Sequence, residues 1–188
     1  SVGIFSRGRA SGFAKVDDKV FVPTWNRRRN HQAVLAFDAE EQGLPPVRIF
    51  DTLCDDAKAG VTRYRVALQS IRMVDCKGKN HWDENKRKWS ATFMGLDGKG
   101  RVLFIHVRSP TTPHELIDQL LTLPIDLKQA IYMEGGPEAS LVLRTKAESW
   151  TRIGSYETGF NENDANDRQW ELPNVIGVEP LEDMPPVP

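Results

Sequence analysis

The chain of 188 residues lacks several things, and each shortage excludes a class of protein. It has only two cysteines, Cys54 and Cys76. Neither belongs to a Cys-x-x-Cys pair, which argues against a thiolate zinc site and a disulfide-dense scaffold. The two are either separate thiols or one disulfide. The apolar runs, such as Ala33–Phe37, fall far short of the ~20 residues of a membrane-crossing helix. Net charge is also missing, with 25 Lys and Arg against 26 Asp and Glu. That balance gives no argument for nucleic acid or an anionic membrane as a partner. Low-complexity sequence is confined to Met184-Pro185-Pro186-Val187-Pro188, read as an extended tail over 181–188. No set of side chains has metal-ligand spacing, and no cofactor motif is present.

The charge balance is a sum of unequal ends. Residues 1–30 carry seven basic side chains and two acidic ones. Residues 161–188 carry seven acidic side chains and one basic one, Arg168. Such ends either attract each other or are simply solvated, and a basic face for an anionic ligand is the functional alternative.

The pattern along the chain is mostly that of strands. Lys19–Val22, Ala33–Phe37 and Val47–Phe50 read as short strands, with Gly43-Leu44-Pro45-Pro46 between the last two. Asp51–Gly60 reads as a loop and Tyr64–Val74 as one longer strand. Lys77–Lys88 is polar. Ser90–Leu96 and Arg101–Val107 flank Asp97-Gly98-Lys99-Gly100, a four-residue hairpin loop. The continuous run Val102-Leu103-Phe104-Ile105 suggests a strand covered on both faces. Thr112, Pro113 and Glu115 mark a helix start, with Leu116, Ile117, Leu120 and Leu121 as its apolar stripe and Pro124 as its stop. Gln129–Met133, Leu141–Leu143 and Asn174–Val178 read as the last strands. The fold class is therefore α+β: a mixed β-sheet core with one strand-helix-strand crossover and few flanking helices.

That crossover locates a candidate site. Two strands joined through a helix in one sheet run parallel, and ligands of such sheets bind beyond the strands' carboxyl ends. Those ends carry His106, Arg108 and Ser109 on one side, and Glu134-Gly135-Gly136-Pro137 on the other. An imidazole, a guanidinium and a carboxylate thus meet beside glycines that permit close backbone approach. Each also has a structural reading: a hydrogen-bonded core histidine, an arginine in an ion pair, a simple turn.

The stretch Ala130–Leu141, with Glu134-Gly135-Gly136 and Ser140, resembles the glycine-rich strand end of the phosphodiester glycosidase family. Members typically show Asp-Gly-Gly there, so Glu134 is a departure. Leu68-Gln69-Ser70 resembles the family's Gln-Ser-Gly-Pro strand, with Ile71-Arg72 in place of Gly-Pro. Pro173–Val178 resembles its closing strand, and Ser1-Val2-Gly3 the end of its upstream segment. The family arginine expected near Ala91 is absent. The resemblance implies one family domain over 1–180 that lacks its N-terminal part. It implies hydrolysis of a sugar-1-phosphodiester, such as one of N-acetylglucosamine, between the anomeric carbon and phosphate, with a carbohydrate phosphodiester or cell-surface glycan as partner. Glu134, Arg108 and His106 are the catalytic candidates. Arg72, Gln69, Ser70, Gly135, Gly136, Ser140 and His114 are the substrate-binding ones, and no cofactor is called for. A secreted or periplasmic location follows, without a signal peptide in this chain, and with it a Cys54–Cys76 disulfide. A glycan-binding module without catalysis is the alternative, with Trp82, Trp89, Trp150 and Trp170 as stacking candidates. An assembly protein held by its charged ends is the third reading.

Overall fold

The structure is a computed structural model and describes residues 5–6, 9–172 and 175–179. Its strands in chain order are β1 (Phe5–Ser6), β2 (Arg9–Ala10), β3 (Ala14–Val16), β4 (Lys19–Val22), β5 (Ala33–Ala39) and β6 (Val47–Asp51), then the short helix α1 (Ala57–Gly60). After it come β7 (Tyr64–Ser70), β8 (Arg72–Val74), β9 (Trp89–Asp97), β10 (Val102–Thr111), the helix α2 (Pro113–Thr122), β11 (Leu127–Gly135), β12 (Ser140–Arg144) and β13 (Ser149–Ile153).

Two sheets carry the fold. One has the order β4-β3-β7-β5-β6 and the other β10-β9-β11-β8. Strict period-two burial explains how β5 joins two layers. Its Ala33 and Leu35 pack with Ile49 against Met94, Ile131 and Met133 of the second sheet. Its Val34 and Ala36 point the other way, into a cluster with Phe50, Ala57, Val61 and Tyr64. Helix α2 covers the far face of the second sheet, with Leu116, Ile117 and Leu120 against Ala91, Phe93, Ala130 and Tyr132. The α+β assignment therefore holds, with sheets dominating.

The helix and hairpin form for local reasons. The Thr112 hydroxyl caps the helix ahead of Pro113, accepting from the Glu115 amide at 3.3 Å, and it donates to the Glu115 carboxylate at 2.8 Å. Asp97 accepts from the Lys99 and Arg101 amides at 2.9 and 2.8 Å, and Gly100 takes φ +76° to close the turn.

Three expectations change. Tyr64–Val74 is two strands in two different sheets, parted at the buried Ile71. An unbroken apolar pattern does not report which sheet each residue joins. Strand β10 lies at a sheet edge, and Phe104 is 39% exposed, so Val102–Ile105 is not covered on both faces. Residues 175–178 form no strand; Asn174, the tail 181–188 and Ser1-Val2-Gly3 lie outside the described residues.

Cys54 and Cys76 are joined, with 6.4 Å between their Cα atoms. The bridge ties the loop after β6 to the loop after β8. Cross-links of this loop length stabilise by about 3 kcal/mol, chiefly by restricting the unfolded chain. Replacing both cysteines by serine is therefore expected to lower stability by about 3 kcal/mol in equilibrium denaturation. Among the described residues no helix is long and apolar enough to cross a membrane.

Candidate functional site

Strands β10 and β11 both pair antiparallel with β9, which lies between them. They therefore run parallel to one another, and their carboxyl ends reach the same sheet edge, where β9 begins. Thr92 of β9 pairs with His106 on one side and Glu134 on the other, so one row of the sheet carries all three.

At that edge Glu134 and Gly135 open into a cleft of about 450 Å³. Trp82, Trp89 and Tyr132 wall it with aromatic surface, and Glu138, Glu157 and Arg87 add charge. Trp82 lies 5.3 Å from Tyr132 and 6.1 Å from Trp89, ring centre to ring centre, so the three form one tilted cluster. A side chain at residue 135 would strike the Tyr132 hydroxyl and Trp89, which explains the glycine there. Gly136 has φ +61°, and a Cβ would lie 2.4 Å from the Glu157 carboxylate. The two glycines thus let the strand end pass under the cleft's aromatic and acidic walls.

The electrostatics favour protonated groups in this cleft. Burial raises the Glu138 carboxyl above its usual value. Burial also raises Glu157, with the Glu138 charge adding to it and Arg87 opposing. The fully buried Tyr132 hydroxyl is pushed well above its ordinary value, by burial first and then by the Glu134 and Glu157 charges.

A smaller cleft of about 160 Å³ adjoins it, the two sharing Asn30, Ile71 and Trp82 as lining. Arg72, Arg29 and His81 line this neighbour together with Asp83, which pairs with Arg29. Arg72 is nearly buried. It donates to Asp51 at 2.8 Å and approaches the His81 imidazole at 3.3 Å. His81 is bonded in turn to the buried Asp75 at 2.7 Å. Burial opposes ionisation of Asp75, but the Lys79 and Lys77 amides and His81 outweigh it and hold its pKa below the ordinary value. Asp51 also accepts from the Leu53 amide at 2.9 Å and the Cys76 amide at 3.2 Å, so this network is anchored beside the disulfide.

The remaining sequence candidates line neither cleft, and most of them are held by other partners. Gln69 is buried, accepts from the Phe13 and Asn26 amides, and donates to the Asn26 and His31 carbonyls. The buried Ser70 donates to the Tyr132 carbonyl at 2.5 Å. Arg108 donates to the carbonyls of Ile153, Asp164 and Asn166 and pairs with the Asp164 carboxylate at 2.9 Å. His114 bonds the Trp82 carbonyl at 2.6 Å, fastening the polar loop to α2. His106 is half-buried, and burial lowers its pKa, with the Ala139 backbone opposing and the Arg108 and Arg152 charges adding to the fall. Ser140 lines a different, apolar cavity with Met94, Phe104, Val142 and Ile176. None of these six lines either cleft at the Glu134 edge. Arg108 acts as a brace between β10 and the segment 153–166. Arg108→Ala is expected to cost roughly 2 kcal/mol and to speed hydrogen exchange of the amides in 153–166.

Glu157, Glu138 and Arg87 were not among the sequence candidates. Glu138 carried a signal, since it follows Glu134 within the same glycine turn. Glu157 carried none. It is brought in by a tight turn whose ends are joined by Glu157 N–H to Asn161 C=O at 2.8 Å and the reverse bond at 2.9 Å. Thr158 clamps that turn to Lys88 at the start of β9.

No curated protein sequence matches the chain. In fold, it is similar to a zebrafish N-acetylglucosamine-1-phosphodiester alpha-N-acetylglucosaminidase, whose catalytic domain is auto-inhibited by its pro-peptide. The TM-score is 0.54 at 15% identity, over 94% of this chain and 59% of that one, so this chain spans less than two thirds of the relative's length. The sequence profile of the phosphodiester glycosidases matches residues 3–179, and the chain belongs to that family.

Proposed function

We propose that the chain hydrolyses a sugar-1-phosphodiester between the anomeric carbon and the phosphate oxygen. The observation that carries this reading is Glu134 at the end of β11, set in a cleft walled by Trp82, Trp89 and Tyr132. The aromatic wall suits the apolar faces of a sugar ring. The carboxylate suits an oxocarbenium-like transition state, either by stabilising its charge or by taking the proton of an attacking water. The leaving group is a phosphomonoester, which departs as an anion and wants cations. Arg87 in the cleft offers one, and Arg72 in the adjoining cleft, held by Asp51, offers another. Gly135 lets Tyr132 and Trp89 pack directly against the strand end, which brings the aromatic wall close to Glu134. The Cys54–Cys76 bridge supports an extracytoplasmic place of work.

The test is hydrolysis of an N-acetylglucosamine-1-phosphodiester with release of reducing sugar and phosphomonoester. Turnover supports the proposal. Saturable binding without turnover overturns it in favour of a glycan-binding module, and neither binding nor turnover overturns both readings.

A further inference from the structure

The cleft holds more acid than one carboxylate needs for the step assigned to Glu134. We propose that Glu157 is the proton donor to the departing phosphate oxygen. The inference rests on the hydrolytic reading above and adds the residue that completes it.

The placement carries the argument. The Glu157 carboxylate is seated over Gly136, the second residue after Glu134, so close that a Cβ at 136 would meet it at 2.4 Å. It lines the same cleft as Glu134. Its backbone is fixed by the paired bonds to Asn161 and by the bridge to Trp89, so the turn does not depend on the side chain for its shape. Arg87 lines the same cleft, so a cation that can face the phosphate shares it with the donor.

The surroundings favour the protonated form. Glu138 follows β11, Glu134 and Tyr132 lie on it, and Arg87 precedes β9; these are the titratable and charged groups lining the cleft with Glu157. Burial, then Glu138, raise the Glu157 carboxyl, while Arg87 pulls the other way. A phosphomonoester has its second pKa near about 6. A carboxylic acid raised above its ordinary value is therefore better matched to that oxygen than an unperturbed one.

The step balances as follows. The bond between the anomeric carbon and the phosphate oxygen breaks, the electron pair goes to that oxygen, and the Glu157 proton joins it. Water bonds to the anomeric carbon and its proton passes to Glu134. The products are the free sugar and the phosphomonoester. Glu157 is left ionised and Glu134 protonated, and exchange with solvent resets both.

The sign of the pH dependence follows. Glu157 must carry its proton, so kcat/KM falls as pH rises through its raised pKa. The experiment compares wild type, Glu157→Gln and Glu134→Gln on the phosphodiester and on the glycosyl fluoride of the same sugar, whose leaving group needs little protonation. Glu157→Gln is expected to lose about 100-fold or more in kcat on the phosphodiester, the usual scale of general acid help. It should lose the alkaline fall of the pH profile and stay within a few-fold of wild type on the fluoride. Glu134→Gln is expected to lose both substrates. A Glu157→Gln variant that is equally impaired on both substrates, or that keeps the wild-type pH profile, overturns the proton-donor role while leaving the hydrolytic reading intact. Absence of wild-type turnover on either substrate overturns the hydrolytic reading and this inference together.

Discussion

Glu134→Gln is expected to reduce turnover of a sugar-1-phosphodiester by about 100- to 10,000-fold, the range for loss of a positioned acid–base group. The amide keeps the size of the side chain and an oxygen that can still accept from the Gly135 N–H, which lies 3.4 Å from the carboxylate, and the sheet edge is built by the Glu134 backbone. Its carbonyl accepts from the Thr92 hydroxyl at 3.2 Å, and its strand pairing with Thr92 is made by the main chain. The thermal midpoint should therefore move little while kcat collapses. KM for the phosphodiester should change far less than kcat, because in the proposed function the grip on sugar and phosphate falls to Trp82, Trp89 and the arginines. A variant with near-normal kcat would remove Glu134 from the chemistry.

Gln69→Ala is the substitution expected to cost most in stability. One buried amide satisfies four backbone groups: the Phe13 N–H at 3.1 Å, the Asn26 N–H at 2.8 Å, the Asn26 carbonyl at 2.9 Å and the His31 carbonyl at 2.8 Å. It also packs directly against Gly12, where a Cβ would stand 2.6 Å from its Oε1 atom. Truncation leaves those groups unsatisfied and opens a gap beneath the segment 12–31. Unpaired buried polar groups cost about 1–3 kcal/mol each. Water entering the gap offsets part of the cost, so a loss on the order of 3–5 kcal/mol is expected, with the midpoint lowered by about 10 °C. A midpoint within about 2 °C of wild type would show that Gln69 is not the clamp described. Because Asn30 and Arg29 sit on the clamped segment and line the clefts, weaker substrate binding should accompany the loss.

Local chemistry was legible in the sequence. The Thr112 N-cap with its Glu115 partner and the Asp97–Gly100 turn each lie within a few residues, and both formed locally. The crossover from β10 to β11 could also be read, since a helix between two strands forces them parallel. That β9 would insert between them was not legible, because pairing partners are chosen by the whole sheet. The same limit explains Ile71. Its neighbours Ser70 and Arg72 look like one strand, but Ser70 pairs with Ala33 in the first sheet while Arg72 pairs with Ile131 in the second, and the chain changes sheets there.

The candidate site was legible where chemistry and topology coincide in one segment. Glu134-Gly135-Gly136 stood out because an acid, two glycines and a strand end are contiguous. Arg108 looked equally eligible, since a guanidinium two residues beyond His106 reaches the same edge. Its partners Asp164 and Asn166 are 56 and 58 residues away in sequence, and only the folded chain reveals that they occupy it. Glu157 is the converse case. Nothing near it in sequence signals chemistry, and its position over Gly136 depends on a turn pinned to Lys88, 70 residues earlier.

The most direct test of the central claim is where the oxygen of water goes. Hydrolysis of the sugar-1-phosphodiester in isotopically labelled water, followed by mass spectrometry of both products, reads the broken bond. Attack at the anomeric carbon beside Glu134 places the label on the free sugar and none on the phosphomonoester. Label on the phosphomonoester would mean cleavage at phosphorus and would contradict the account.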